Sequence, residues 1–247
     1  METYEARLAR FFETFRFPAE EDGIGTLGEK KLHAALKRFY AKDSTCMEVP
    51  VGRFVADVFD GERIVEIQTR QFARLQKKLC FFLERFPVTV VYPLPRTRYL
   101  IWTDPATGES SRPRKSPAVG TPLSALHELY HIRTLLGVEN LTVEVLLFDL
   151  DEYRLLDGYG KTKKKGSTLV EKIPRGEPEL MRLQSAEDYR ALLPEGLPDV
   201  FTAAVFQKHT GLKGRKVYSA IHVLEELGVI EAAGKDGRAT VYKKGDA

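Results

Sequence analysis

Long apolar runs, cysteines and a basic leader are all scarce in this 247-residue chain. No stretch approaches the roughly eighteen consecutive apolar residues of a membrane-spanning helix, so we expect no membrane partner. The two cysteines, Cys46 and Cys80, form neither a disulfide framework nor a closely spaced metal-binding pair. Glu2 and Glu5 stand where a secretory signal carries bases. These absences predict a cytoplasmic protein with reduced thiols.

A strong excess of charge of either sign is also missing. The chain has 38 Lys and Arg against 35 Asp and Glu, which leaves a net charge of +3. With 43% hydrophobic and 30% charged residues, the composition is that of a globular protein and argues against long disorder. The basic residues are nevertheless clustered, in 112–115, 158–175 and 213–216. Such clusters either bind phosphate groups or are simply solvated loops.

The spacing of apolar residues predicts both helices and strands. We expect helices over 3–16, from a capping box at Thr26, over 70–86, over 122–136 and over 185–193, and strands over 45–51, 53–59, 63–69, 88–92, 99–103 and 141–150. Residues 26–92 therefore have the order αβββαβ, which predicts an α/β fold. We expect this domain to span 1–195, with 93–195 extending its core, and to be linked through Pro194–Pro198 to a second domain over 197–247.

The second and third predicted strands flank Asp60-Gly61, a two-residue hairpin signal. This turn pairs Asp57 with Ile64 and Val55 with Glu66. One face of the hairpin is then uniformly apolar, with Phe54, Ala56, Val58, Val65 and Ile67. Asp57 and Glu66 lie on the other face as diagonal neighbours, close enough to share one cation. Two carboxylates beside an amide suit a hard divalent ion, which can polarise a phosphate and orient the attacking water.

Asp57 followed by Glu66-Ile67-Gln68 resembles the PD-(D/E)xK, or restriction endonuclease-like, nuclease superfamily, in the version where glutamine replaces lysine. The predicted order αβββαβ is also that of the superfamily's core. The resemblance implies a mixed sheet and a hydrolase that cleaves DNA with Mg²⁺ or Mn²⁺. It implies that Asp57 and Glu66 bind the metal, that Gln68 stands where the water-orienting lysine is usual, and that Glu29 is a further acidic ligand.

Two departures leave an alternative open. No proline precedes Asp57, and Gln68 carries no charge with which to stabilise an anionic transition state. The alternative function is a catalytically inactive nuclease-like scaffold within a DNA-binding transcriptional regulator. Without a functional role, Asp57, Glu66 and Gln68 would simply form a solvated strand face, and the capping box alone accounts for Glu29.

His127-Glu128-Leu129-Tyr130-His131 spells the HExxH motif of zinc proteases. On a helical wheel, however, both histidines fall outside the apolar arc. A catalytic zinc also needs a third protein ligand, and the strand that follows offers none. We therefore interpret His127 and His131 as exposed histidines rather than metal ligands.

Residues 199–244 have the order helix, turn, helix, β-hairpin, with helices over about 202–209 and 213–227 and strands over 229–233 and 239–243. This order resembles a winged helix-turn-helix domain. The resemblance implies a DNA partner that contacts the second helix and the wing. The residues expected to contact it are Lys213, Arg215, Lys216, Tyr218, Lys235 and Arg238. The alternative is a module for protein interaction, including a homodimer.

Overall fold

The computed structural model describes residues 3–15, 27–158 and 166–245, with the side chains of 27–30 left out. The expected capping box at Thr26 and the basic residues within 159–165 lie outside the described residues. The fold is α/β with a mixed sheet, as the sequence predicts.

The helices of the described chain are mostly short. They are α1 Tyr4–Glu13, α2 Leu27–Tyr40, α3 Gln76–Leu83, α4 Pro122–Leu129, α5 Ala186–Arg190, α6 Ala203–Thr210 and α7 Arg215–Glu226. The strands are β1 Met47–Val51, β2 Phe54–Phe59, β3 Ile64–Ile67, β4 Val88–Thr103, β5 Arg114–Lys115, β6 Leu141–Leu155, β7 Thr168–Pro174, β8 Glu179–Leu183, β9 Val200–Thr202, β10 Ile230–Asp236 and β11 Ala239–Lys244.

Within the described residues, eight strands form one mixed sheet with the order β1-β2-β3-β4-β6-β7, while β5 pairs with β4 and β8 with β6. The first three strands are antiparallel, and β3, β4 and β6 run parallel. Parallel strands are usually covered on both faces. Helices do lie on both faces of this sheet, and the site described below is at β2 and β3, between the two helical layers.

Two clusters of buried apolar side chains cover the two faces. The N-terminal cluster joins α1 and α2 to one face; it consists of Phe11, Leu32, Ala35, Leu36, Phe39, Ala41, Val58, Val65, Ile67, Val91, Leu146, Phe148 and Leu150. The central cluster joins the other face to α3, α4, α6 and α7; among its members are Ala56, Ile64, Leu79, Val90, Leu126, Leu129, Val217 and Leu224. The central cluster is continuous across Pro194–Pro198, where we expect the domains to divide.

The predicted helices 70–86 and 122–136 are both too long. A left-handed backbone at Gln71, with φ of 61°, and a 3-10 turn over Phe72–Arg74 precede α3. After Leu129 the chain tightens into a 3-10 helix, Tyr130–Leu135, with a non-helical backbone at Ile132. These changes of geometry place Phe72 and Ile132, both fully buried, in the central cluster.

The predicted strands 88–92 and 99–103 are one continuous strand, β4. It pairs with β6 over its whole length, from Val88↔Leu141 to Thr103↔Leu155, with an irregularity between Pro95 and Thr97. Pro93 and Pro95 both lie within this strand, although proline lacks the amide hydrogen that a ladder needs. The irregularity in pairing follows Pro95, whereas Pro93 keeps its regular partner, Leu146.

The C-terminal residues form a three-stranded sheet, β10-β11-β9, with α6 and α7 beside it. Strand β10 continues past an irregularity between Ala232 and Gly234 to Asp236, so the connection to β11 is Gly237-Arg238 rather than the predicted loop over 234–238. One face of α7 packs against α4, where Nδ1 of His127 lies 3.0 Å from Oγ of Ser219. We call this contact the α4–α7 seam. No helix in the described ranges is long and apolar enough to cross a membrane.

Candidate active site at the β2–β3 hairpin

The register of the β2–β3 hairpin differs from the predicted one. The observed pairs are Val58↔Val65 and Phe59↔Ile64, so the turn contains four residues, 60–63, instead of two. The side chain of Asp60 stabilises this wider turn, because its Oδ1 accepts hydrogen bonds from the amides of Glu62 and Arg63 at 3.1 and 2.9 Å. Continued by one step, this register places Asp57 opposite Glu66 rather than diagonal to it.

The alternation of side chains is interrupted at Asp57. Phe54 and Ala56 face the central cluster, whereas Val58 faces the N-terminal cluster. On the neighbouring strand, Glu48 has a left-handed backbone with φ of 53°. The predicted uniformly apolar face is therefore wrong. The irregular backbone frees Asp57 from the regular ladder, so that its side chain lies between β2 and β3.

Asp57 and Glu66 are each hydrogen-bonded to the other's strand. The amide of Asp57 donates to Oε1 of Glu66 at 3.1 Å, and the amide of Ile67 donates to Oδ2 of Asp57 at 2.8 Å. Both carboxylates therefore lie at the same point of the hairpin, where regular pairing ends. Glu66 is only 2% exposed.

Each carboxylate also has a basic partner from a different helical layer. Nε2 of His33, on α2, lies 3.3 Å from Oδ2 of Asp57 and 3.0 Å from the carbonyl oxygen of Ile67. Nζ of Lys78, on α3, donates to Oε2 of Glu66 at 2.5 Å. The hairpin thus brings two acids and two bases together between the layers.

The two carboxyl groups have pKa values shifted in opposite directions. Burial, together with the nearby charge of Asp57, raises the pKa of Glu66 to about 7 against the opposing effect of Lys78. Burial also raises the pKa of Asp57, but the hydrogen bond and charge of His33, the Ile67 amide and the charge of Lys78 together lower it below its usual value. Opposed environments of this kind separate two acids into a charged one and a protonatable one.

Gln68 and Glu29 are not brought to this point by any described contact. The side-chain amide of Gln68 donates a hydrogen bond to the carbonyl oxygen of Arg70. Its backbone amide donates to the carbonyl oxygen of Val91 at 2.9 Å. Glu29 belongs to α2, but its side chain is outside the described residues. Among the side chains described, no group of three or more His, Cys, Asp and Glu residues could hold a metal ion.

Sequence reasoning missed His33 and Lys78. Each is next to a buried leucine, Leu32 or Leu79, on an amphipathic helix. Helical spacing therefore assigns each base to the margin of an apolar face. Because such a margin lies beside the sheet, a basic residue at this helical position is the sequence signal that could have indicated His33 and Lys78.

The HExxH motif does not form a regular helical pair. His127 belongs to α4, which ends at Leu129, whereas His131 belongs to the following 3-10 helix. His131 is exposed as expected, but His127 is partly buried against Ser219 of α7. Burial lowers the pKa of His127, and the charges of Lys216 and Arg215 add to this effect.

The candidate DNA-contacting residues are all exposed; they are Lys213, Arg215, Lys216, Tyr218, Lys235 and Arg238. The first four surround the beginning of α7, and Tyr218 is 57% exposed. Lys235 lies on β10 opposite Thr240, and Arg238 lies in the turn that follows. The basic segment Arg112–Lys115 is exposed as well, at the short edge strand β5.

A family model matches residues 30–184, which is more than half of the chain. The chain belongs to the family Domain of unknown function (DUF8091). The DUF8091 match extends from within α2 to the residue after β8. It therefore contains Asp57, Glu66 and both of their basic partners, and it leaves out α6 and α7.

An uncharacterized protein of Treponema pallidum (strain Nichols) is 29% identical over 230 residues, which cover 90% of this chain and 87% of that protein. The DUF8091 match ends at residue 184, and residues 1–184 alone are too few to make up 90% of the chain. The similarity to the Treponema protein therefore continues into the C-terminal part. No solved structure matches the chain.

Proposed function

We propose that this DUF8091 protein is a metal-dependent DNA phosphodiesterase of the PD-(D/E)xK type, with its site at the β2–β3 hairpin. The observation that carries the proposal is the reciprocal bonding of Asp57 and Glu66, which holds two carboxylates at one point of neighbouring strands. The order α2-β1-β2-β3-α3-β4, with β4 parallel to β3, supports it further because this is the order of the superfamily's core.

The oxygen atoms at this point fit Mg²⁺ or Mn²⁺. Asp57 Oδ2 and the carbonyl oxygen of Ile67 both lie within 3.3 Å of one atom, Nε2 of His33. These two hard oxygens and the carboxylate of Glu66 suit a cation that takes one or two carboxylates and keeps several waters. Asp57 and Glu66 would hold the ion, as the resemblance implies.

Hydrolysis forms a bond between a water oxygen and phosphorus and breaks the bond from phosphorus to one ester oxygen, which leaves with the electron pair. One proton of the water passes to solvent and the leaving oxygen takes a proton from solvent, which gives a phosphomonoester and an alcohol. A bound divalent cation polarises the phosphate and lowers the pKa of its water. The chain's own residues orient both carboxylates through the amides of Asp57 and Ile67.

The C-terminal residues support DNA as the substrate. In a winged helix, residues at the start of the second helix enter the major groove and the wing reaches the backbone. Arg215, Lys216 and Tyr218 are exposed at the start of α7, and Arg238 is exposed in the turn of the β-hairpin. These positions suit contacts to phosphates and base edges.

A second candidate function has an observation of its own. Both carboxylates already have basic partners in the protein, Lys78 and His33, and the amide of Gln68 is bonded to the backbone. Acids neutralised in this way can serve as a structural network with no metal. The chain would then be a DNA-binding regulator with an inactive nuclease-like scaffold.

Incubation of the purified protein with plasmid, linear and single-stranded DNA and Mg²⁺ or Mn²⁺ distinguishes the two. The phosphodiesterase is expected to cleave DNA, and Asp57→Asn is expected to abolish cleavage. Glu62→Gln is the matched control, because Glu62 is an exposed acid on the same hairpin. DNA binding that weakens with salt, with no cleavage of any substrate, would instead favour the regulator.

A further inference from the structure

The site lacks a cation at the position where the motif's lysine usually stands. Gln68 occupies that position, carries no charge, and donates its amide hydrogen to the carbonyl oxygen of Arg70. Cleavage of a phosphodiester builds negative charge on the phosphate oxygens, and an ammonium group placed beside them stabilises that charge. Beyond a bound cation, such a charge would have to come from another residue of the site.

Lys78 is a basic residue in direct contact with the site. Its Nζ is 2.5 Å from Oε2 of Glu66, and its side chain is 20% exposed while that of Glu66 is 3% exposed. The lysine is therefore the more exposed member of the pair.

The helix α3 fixes the position of this lysine. Leu79 and Phe82 of α3 are fully buried in the central cluster, and Nζ of Lys78 lies 5.7 Å from the centre of the Phe82 ring. A lysine on a packed helix presents its charge to a defined point of the hairpin. Its neighbour Lys77 is exposed.

We infer that Lys78 supplies, from α3, the positive charge at the cleaved phosphate that Gln68 lacks. This inference rests on the proposed function. It gives Lys78 a role toward the substrate, in addition to its ion pair with Glu66. A purely structural role is the competing explanation, since a buried carboxylate needs a partner whether or not the site is catalytic.

The test compares full-length wild type with Lys78→Met, Lys78→Arg and the matched control Lys77→Met. A double variant, Lys78→Met with Gln68→Lys, returns a lysine to the usual position of the motif. Three quantities are measured for each protein. They are the rate of plasmid cleavage, the affinity for Mn²⁺ from the electron paramagnetic resonance signal of the free ion, and the midpoint of urea unfolding.

Lys78→Met is expected to slow cleavage by about 10²–10³-fold, the effect of removing one group that stabilises transition-state charge. Mn²⁺ should still bind Lys78→Met at least as tightly as wild type, because a competing cation has been removed. Lys78→Arg and the double variant should each recover cleavage by about tenfold or more over Lys78→Met, and Lys77→Met should behave as wild type.

Unchanged cleavage by Lys78→Met, while wild type cleaves, would overturn this inference alone. Loss of cleavage together with loss of Mn²⁺ binding, with no recovery in the double variant, would assign Lys78 to structural support of Glu66 and also overturn it. A wild-type protein that cleaves no DNA with either metal would overturn both this inference and the proposed function.

Discussion

The imidazole of His33 lies 3.3 Å, through Nε2, from Oδ2 of Asp57, so that α2 is joined directly to β2. The same nitrogen lies 3.0 Å from the carbonyl oxygen of Ile67 on β3. One side chain therefore connects a helix with both strands of the hairpin. Its removal should affect the charge of Asp57 and the stability of the fold together.

His33→Ala is expected to raise the pKa of Asp57, because burial remains while the hydrogen bond and charge of His33 are lost. Because the pKa of Asp57 is lowered in the folded protein, it contributes stability at pH values above its ordinary pKa of 3.8. This contribution is lost as the pH falls through the pKa of the folded state. At pH 7 the variant should lose about 1–3 kcal/mol of unfolding free energy. Carboxyl-carbon NMR titration measures the pKa, and urea unfolding measures the stability.

The control for this variant is His209→Ala, because His209 is exposed on α6. An Asp57 pKa that stays unchanged in His33→Ala would show that His33 does not set the charge of this acid.

Glu66 predicts a pH dependence of opposite sign. Its folded pKa of about 7 exceeds its ordinary value of 4.5, so its contribution to stability is complete below pH 4.5 and is lost as the pH rises through 7. In metal-free buffer, the wild type should lose up to roughly 3 kcal/mol between pH 4.5 and pH 7.5 from this group. Urea unfolding at several pH values measures the loss.

Glu66→Gln removes the titrating group and should flatten that dependence. Equal slopes in wild type and Glu66→Gln over this pH range would contradict the assignment of the raised pKa to Glu66.

Much of the site's setting could be predicted from the sequence. Period-two and helical apolar patterns locate α2, β1, β2, β3, α3 and the start of β4 in the correct order, since these patterns are local. The register of the hairpin could not be predicted. The Asp60 side chain stabilises a four-residue turn in place of the predicted two-residue turn.

The basic partners of the acids depend on tertiary packing. His33 and Lys78 reach Asp57 and Glu66 only because α2 and α3 cover opposite faces of the sheet. No local pattern shows which residues at the margins of two helices meet at one point. Likewise, β7 and β8 were not predicted, because their alternation is weak and β7 is only partly buried.

DNA binding through α7 can be tested by Arg215→Ala and Lys216→Ala. If these residues contact phosphates, each variant should weaken binding to every sequence and reduce the salt slope by about one. Tyr218→Ala, which removes a base-contacting candidate, should reduce sequence discrimination more than the salt slope. Fluorescence anisotropy with labelled duplexes at several salt concentrations provides these values.

Arg85→Ala is the matched control for these variants, because Arg85 is a partly exposed arginine that follows α3. Binding that is equally sensitive to Arg85→Ala and Arg215→Ala would contradict a specific role for α7.

The continuous central cluster predicts a single unfolding transition. Trp102, the one tryptophan of the chain, lies in β4, so its fluorescence follows the large sheet, while circular dichroism follows the helices. Both signals should have the same midpoint. Leu129→Ala truncates a fully buried side chain and should lower the free energy of unfolding by about 2–5 kcal/mol, which shifts both midpoints together. Two separated midpoints would favour independent domains over 1–195 and 197–247.

The α4–α7 seam determines how a bound duplex could lie on this protein. Since one face of α7 packs against α4, the helix cannot reorient as it would in a module joined by a flexible linker. A duplex held by α7 would therefore keep one orientation relative to the rest of the described chain. If the proposed function holds and the same duplex reaches Asp57 and Glu66, cleavage would fall at a constant offset from the bases that α7 contacts.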